Sequence, residues 1–433
     1  MLMTKNTNTK RIYMDYAATT PVDPRVKKAM EPFWISNFGN PGGLYEEGRR
    51  ANEALEESRK KIAAIIGARP GEIIFTSGGT ESINLAIFGA LKMLGGGHLI
   101  TSKFEHHAVL KPVEDLKKRG FEVTYIEVNG DGVINAEDIK KALRPDTVFV
   151  SIMYANNEIG TIQPIAEIGK VISDYKLKNK NLPAGQAGHK LLFHTDACQA
   201  SGYLDLNVDR LGVDLMSVNA SKIYGPKGVG FLYKKQNVKL MPQILGGGQE
   251  GRLRSGTENV AFAVAMAEAL RIAQEEKTKE AKRLTKLRDY FISRAIKEIS
   301  KVVLNGHATK RLPNNINVSV LDIEGESLVL ALDSEGIAFS TGSACTSESL
   351  DPSHVILALG KPYEFAHGSM RFTLGKKTTK KEIDYVIQKM KEKVKWLRIV
   401  SPINLDPDAQ SMSRPEVFAG EGLRVKAKSK NFK

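Results

Sequence analysis

Seven short apolar runs, separated by helical patterns, constrain what this chain can fold into more than any other feature. They lie at Glu72–Thr76, His98–Ser102, Glu122–Ile126, Thr147–Met153, Lys190–Thr195, Asp214–Val218 and Val229–Tyr233. Each is rich in Ile, Val, Leu or Phe and is bounded by Gly, Asp or Asn. Helical patterns fall between them or before them, at Tyr45–Gly67, Glu81–Leu94, Val109–Arg119 and Ile165–Tyr175. Strands that alternate with helices predict an α/β fold with a mostly parallel sheet covered on both faces.

The pattern changes after Asn259. Ala261–Ser300 reads as a long amphipathic helix with room for one break, able to link two domains. Asn315–Val320 and Ser327–Leu332 follow as strand and helix, and Ile383, Val386, Ile387, Met390, Val394 and Leu397 share one helical face. A smaller α+β C-terminal domain is therefore expected, as the length of 433 residues also requires. Leu182–Gly188 reads as a surface loop, and residues after Pro402 lose all periodicity, as a flexible tail does.

Composition narrows the function classes. The formal net charge is +14, with basic residues gathered in Gly375–Lys395 and Lys426–Lys433. A solvated helix face and a basic tail account for most of this, and no recognition motif supports direct nucleic-acid binding. Only Cys198 and Cys345 occur, which excludes a disulfide framework and favours a reducing compartment. No apolar run approaches the roughly 18 residues of a membrane span. Met1–Lys10 is polar and lacks the apolar core of a secretory signal, so a cytoplasmic location is expected. No metal-ligand spacing appears, and the adjacent His106 and His107 point their rings apart.

Two residues carry the chemistry. Lys222 follows an apolar strand, Leu215–Val218, and is surrounded by small residues and by Gly-Pro and Gly-x-Gly turns. Most lysines are surface residues. This one sits where ligands bind, at a strand end, with room beside it for a ring, as a lysine forming a Schiff base with a cofactor aldehyde requires. Cys345 lies in Ser-Thr-Gly-Ser-Ala-Cys-Thr-Ser (340–347), a polar run of small residues unlike the apolar setting of a packing cysteine. It reads as a nucleophilic thiol on a loop that can swing. Cys198, between Ala197 and Gln199, reads instead as packing or as support behind a site.

Other residues gain meaning beside that pair. Asp196 closes an apolar strand and is either a helix cap or the carboxylate that keeps a pyridine nitrogen protonated; with Lys222 downstream the second is favoured. Gln199, three positions on, suits a phenolic oxygen. Thr76-Ser77-Gly78-Gly79-Thr80-Glu81-Ser82 places a glycine turn between strand and helix, a nest for phosphate or a plain capped turn. Gly246–Gly251 formally matches G-x-G-x-x-G, but no strand–turn–helix unit surrounds it. His106 is polar lining or a proton-shuttling ring stacked on a planar cofactor. Asn157, in Tyr154–Gly160, makes a turn or faces a crevice. Arg371 suits a carboxylate, although taken alone it would read as a surface arginine.

Together these motifs resemble the pyridoxal-phosphate cysteine desulfurases, the NifS/IscS type within the class V aminotransferase fold, from about Ile12 to Pro402. The matching runs are Tyr13–Pro21, Gly39-Asn40-Pro41, Thr80-Glu81-Ser82, Glu105-His106, Asn156–Gly160, Arg254-Ser255-Gly256-Thr257 and Gly342–Ser347. The last is similar to the group with a long catalytic loop; the other group's Arg-x-Gly-His-His-Cys pattern is absent. The resemblance implies an aspartate aminotransferase-like fold whose large domain holds a mostly parallel seven-stranded sheet. It implies an N-terminal segment (1–30) packing with the small domain, a cofactor-binding α/β domain (31–275), a small α+β domain carrying the cysteine loop (276–402) and a basic tail (403–433).

The site residues carry over one by one. Lys222 would hold pyridoxal 5'-phosphate covalently, Asp196 would pair with its ring nitrogen, Gln199 would lie near the phenolic oxygen and His106 would stack on the ring. Gly79 and Thr80 would bind phosphate, with Thr257 reaching across a homodimer. Asn157 would orient cofactor and substrate, and Arg371 would grip the substrate carboxylate. Cys345 would take sulfur from L-cysteine as a persulfide, leaving alanine. It would pass that sulfur to an iron–sulfur scaffold protein or a tRNA-thiolation acceptor, and could transiently ligate a cluster with the scaffold. The family's Ser-x-His-Lys is here Asn219-Ala220-Ser221-Lys222, so Asn219 and Ser221 are the phosphate donors that remain. Its Gly-Asn-Pro-Ser-Ser is here Gly39-Asn40-Pro41-Gly42-Gly43. Two rival readings are a selenocysteine lyase or other class V enzyme, and a non-catalytic scaffold or RNA-binding protein.

Overall fold

The computed structural model describes residues 11–92, 94, 96–179, 191–342 and 352–400. Its twelve strands among these residues are β1 (Ile12–Tyr13), β2 (Ile73–Thr76), β3 (His98–Ser102), β4 (Glu122–Ile126), β5 (Thr147–Ser151), β6 (Leu192–Asp196), β7 (Leu215–Asn219), β8 (Gly230–Lys234), β9 (Val302–Leu304), β10 (Asn315–Val320), β11 (Ile337–Ala338) and β12 (Ser369–Thr373). The seven apolar runs form one sheet in the order β2-β8-β7-β6-β5-β3-β4. β3, β4, β5, β6 and β7 are mutually parallel, β8 is antiparallel to both β7 and β2, and β2 therefore runs with the rest.

Alternation along each strand explains why the central runs carry apolar residues on both faces, while the edge strand β4 keeps an exposed Glu122. Ile73 and Phe75 enter one hydrophobic core and Ile74 the other; Val150, Met216 and Phe231 join the first, Phe149, Leu215 and Leu232 the second. A strand buried on both faces has no polar side to show. Helix Glu46–Ile66 covers the first face through Leu55, Ile62 and Ile66. It ends at Gly67, whose φ of +73° suits the left-handed cap. Helices Gly79–Leu91 and His107–Lys118 cover the second through Ile83, Leu85, Ile87, Val109 and Val113.

A separate core gathers around β10 and β12, which pair with Asn317 opposite Arg371, and around β9 on the other side of β10. Helix Lys380–Val400 packs there through Ile383, Val386, Ile387, Met390, Val394 and Leu397, the expected face. β1 joins this part of the chain by pairing with β11.

The long helix differs from expectation: Val260–Glu298 is one uninterrupted helix of 39 residues. It contains neither Gly nor Pro, so no residue within it breaks the hydrogen-bond ladder. Ala261, Ala265 and Leu270 pack into the sheet's first core, while Leu284, Phe291 and Ala295 pack into the separate core around β10 and β12. β5 also stops at Ser151 rather than Met153: bonds to the β6 side continue through the Ile152 and Tyr154 amides, but on the β3 side the Met153 amide donates to the Glu105 side chain. Arg371 lies within β12. The Leu182–Gly188 loop, the tail after residue 403 and Cys345 lie outside the described residues. No described helix is long and apolar enough to cross a membrane.

Candidate active site

All strands of the large sheet except β8 point their C-terminal ends to one edge, and the segments leaving that edge enclose a cavity of about 200 Å³. β2 leads to Gly79 and Thr80, β3 to His106, β5 to Asn157, β6 to Asp196 and Gln199, β7 to Asn219 and Lys222; Arg371 arrives from β12. Six separately singled-out segments thus converge on one crevice, where open α/β sheets bind ligands. Ser221 and Thr257 do not line it: Ser221 uses its carbonyl to accept from the Thr20 amide and hydroxyl, and Thr257 is exposed beside Ser77, Gly228 and Phe262.

Each lining side chain has a defined anchor. Asp196 accepts from the Cys198 amide at 2.9 Å, so the capping role and a place in the crevice coexist. Lys222 Nζ donates to the Ala18 carbonyl at 2.6 Å and Gln199 Nε2 to the Ala17 carbonyl at 3.0 Å. His106 caps helix His107–Lys118: its Nδ1 accepts from the Ala108 amide at 3.0 Å, which leaves Nε2 to carry the ring proton. Arg371 is only 2% exposed, which overturns the solvent-exposed alternative. It donates from Nη1 to the Asn157 carbonyl at 3.0 Å and from Nη2 to Asp15 Oδ1 at 2.8 Å.

Three buried groups shape the electrostatics. Burial, and then the charge of Asp196, push the Cys198 thiol well above its usual range. Cys198 is therefore a protonated wall of the cavity and a poor nucleophile. Burial lowers His194 to about 4, keeping it a neutral bridge between Ser151 and Ser217 beneath Asp196. Burial raises Glu105, beside His106, to about 8, while its Oε1 accepts from Ser102 and Met153 and its Oε2 has no partner.

That last group makes a pH prediction. A carboxyl raised by folding binds its proton more tightly in the native than in the unfolded chain. The unfolded chain gives up that proton near pH 4.5 and the native one near 8, so this contribution is complete below 4.5 and is lost as pH rises to 8. Glu105→Gln is expected to flatten the stability loss across that window, measured as urea midpoints at several pH values.

The cavity fits pyridoxal 5'-phosphate. Helix Gly79–Leu91 begins at the crevice with Gly78 in the cap position and no side chain occupying its first amides. A Cβ on Gly79 would stand 2.7 Å from Cys198 Sγ, so only glycine lets the helix start approach the sheet edge this closely. Asn219 Oδ1 is buried without a partner next to that start. An open helix start, a carboxylate and a lysine amine thus share one space, the groups that a phosphate, a ring nitrogen and an aldehyde would each require.

Sequence reasoning missed the strap that closes it. Ala17 and Ala18 line the cavity and bind Gln199 and Lys222 through carbonyls that every residue has, so only the Tyr13–Pro21 motif as a whole signalled them. It also missed Glu158, 2% exposed, which accepts from Ser353 Oγ and lies against Gly342. One buried carboxylate therefore touches both described ends of the segment that contains Cys345.

Fold and crevice together define a pyridoxal-phosphate-dependent enzyme. The sequence matches the family described as "Aminotransferase class-V" over residues 12–386. It is 52% identical to "Cysteine desulfurase IscS" of Dictyoglomus turgidum, covering 91% of this chain and 97% of that one. A solved structure described as a "NIFS-LIKE PROTEIN" superposes with a TM-score of 0.82 at 37% identity, over 90% of this chain and 100% of that one. Another, "SspA in complex with cysteine", gives 0.72 at 37% identity, over 84% and 99%. The chain belongs to the class V aminotransferase family, among its cysteine desulfurases of the NifS/IscS type.

Proposed function

We propose that this enzyme removes sulfur from L-cysteine, giving L-alanine and a persulfide on Cys345. The observation that carries the reading is the convergence of Lys222, Asp196, His106, Gln199, Asn157 and Arg371 on one cavity. Pyridoxal phosphate supplies an electron sink that weakens bonds of a bound amino acid.

The chain's own residues do the rest. Lys222 would supply the amine that holds the cofactor. Asp196, held by the Cys198 amide, keeps positive charge on the ring nitrogen. Gln199 would serve the phenolic oxygen, and His106, whose Nδ1 is taken by the Ala108 amide, would offer an Nε2–H to the cavity. Gly79, Thr80 and Asn219 would take the cofactor's phosphate, and Ser221, which does not line the cavity, would not. Arg371 and Asn157 fix the substrate carboxylate. Cys345 then attacks the substrate sulfur: an S–S bond forms, the C–S bond breaks, and its electron pair stays on carbon and takes a proton. The products balance without an outside oxidant. Cys345 stands three residues beyond Gly342, a reach of roughly 10 Å when extended, and Gly342 abuts the residue next to Asn157.

Two further parts of the proposal concern partners. Trp34, Ile35, Phe38, Leu44 and Leu245 are exposed apolar residues, and Trp34 packs on Phe262 beside exposed Thr257. A second copy would cover this surface and bring Thr257 to its own phosphate site, as a homodimer does. The persulfide passes to an iron–sulfur scaffold protein or a tRNA-thiolation acceptor in the cytoplasm. Holoenzyme given L-cysteine and a reductant should release alanine and sulfide in equal amounts; no alanine at full cofactor occupancy overturns the reading.

A further inference from the structure

The guanidinium assigned to the substrate carboxylate already has a carboxylate. Arg371 Nη2 donates to Asp15 Oδ1 at 2.8 Å, with the two side chains 2% and 16% exposed. Asp15 has little freedom to withdraw. Its backbone bridges Thr373 on β12, next to Arg371, and its carbonyl accepts from Tyr13 Oη at 2.9 Å and from the Ala18 amide at 3.0 Å. The strap that follows is fastened in turn to Gln199 and Lys222. Only rotation of the Asp15 side chain can clear the arginine.

We infer that Asp15 is an internal competitor for Arg371, a specificity-determining residue that holds down affinity for the α-carboxylate so that the product amino acid leaves. This rests on the reading of Arg371 as the carboxylate grip. A second carboxylate arriving at the same guanidinium must either share it with Asp15 or displace it. In both cases two negative charges come within a few ångströms of each other in a poorly solvated space, which weakens binding of the newcomer. The effect falls on any amino acid bearing a free carboxylate, substrate and product alike. It does not fall on an ester of the same amino acid.

Asp15→Asn removes the charge and keeps the shape, including the oxygen that accepts from Arg371. Binding to the holoenzyme is followed by the change in its visible absorbance, with L-alanine and L-alanine methyl ester as probes. Asp15→Asn should bind L-alanine about tenfold more tightly, ~1.4 kcal/mol, and the ester within twofold of the unaltered enzyme. Turnover with cysteine should become more sensitive to added alanine. Arg371→Lys, checked first for cofactor loading, separates the layers. If it weakens alanine and spares the ester while Asp15→Asn binds alanine no more tightly, the competitor role is overturned and the grip stands. If it weakens acid and ester alike, the grip itself is wrong.

Discussion

Replacing Lys222 by alanine is expected to lower desulfuration by on the order of 10⁴-fold or more, the scale on which loss of a covalent catalytic group acts in other enzymes. The lysine does two things that no neighbour can take over. It supplies the only lysine amine lining the cavity among the described residues, and its Nζ ties the strap at Ala18 to the end of β7. The same variant should lose the visible band of the covalently held cofactor. Reduction with borohydride should fix the coenzyme on the peptide containing residue 222 in the unaltered enzyme and not in the variant. Cofactor retention through phosphate alone, with activity within tenfold, would show that the amine is not the point of attachment.

Replacing Cys345 by serine is expected to abolish alanine formation from cysteine, by about 10³-fold or more, with the cofactor band intact. A hydroxyl is far less nucleophilic toward sulfur, and the other thiol cannot substitute. Cys198 is walled in against Gly79 with its proton held by burial, so the loss should not be rescued at any pH below about 9. The same variant tests the selenocysteine lyase alternative: selenium release can survive without this thiol, whereas sulfur release cannot. Persistent alanine production from cysteine would transfer the sulfur-accepting role elsewhere.

The large sheet was legible because burial on both faces leaves its strands as plain apolar runs, each ending at a polar or glycine residue. The ends were less legible where a side chain intervened: Glu105 draws the Met153 amide away, a contact between residues 48 apart in sequence. The site was read in its parts from strand ends and glycines, and the fold brings Lys222, Asp196, Gln199, His106, Asn157, Asn219, Gly79, Thr80 and Arg371 to one cavity. Arg371 could not be ranked from its neighbours in sequence, since its burial depends on pairing with Asn317 and on Asp15. Asp15 itself looked like one letter of a motif. Its partner is 356 residues away, and no local pattern encodes that meeting.

A single rod of 39 residues that runs from the sheet's first core into the core around β10 and β12, with no glycine or proline along it, makes bending between them costly. Admission of an amino acid and escape of the product must then rely on short movements at the rim, of side chains and connecting segments, rather than on a jaw-like swing of one half against the other. Scattering in solution should show the same envelope with and without L-alanine, even though occupancy of the crevice changes.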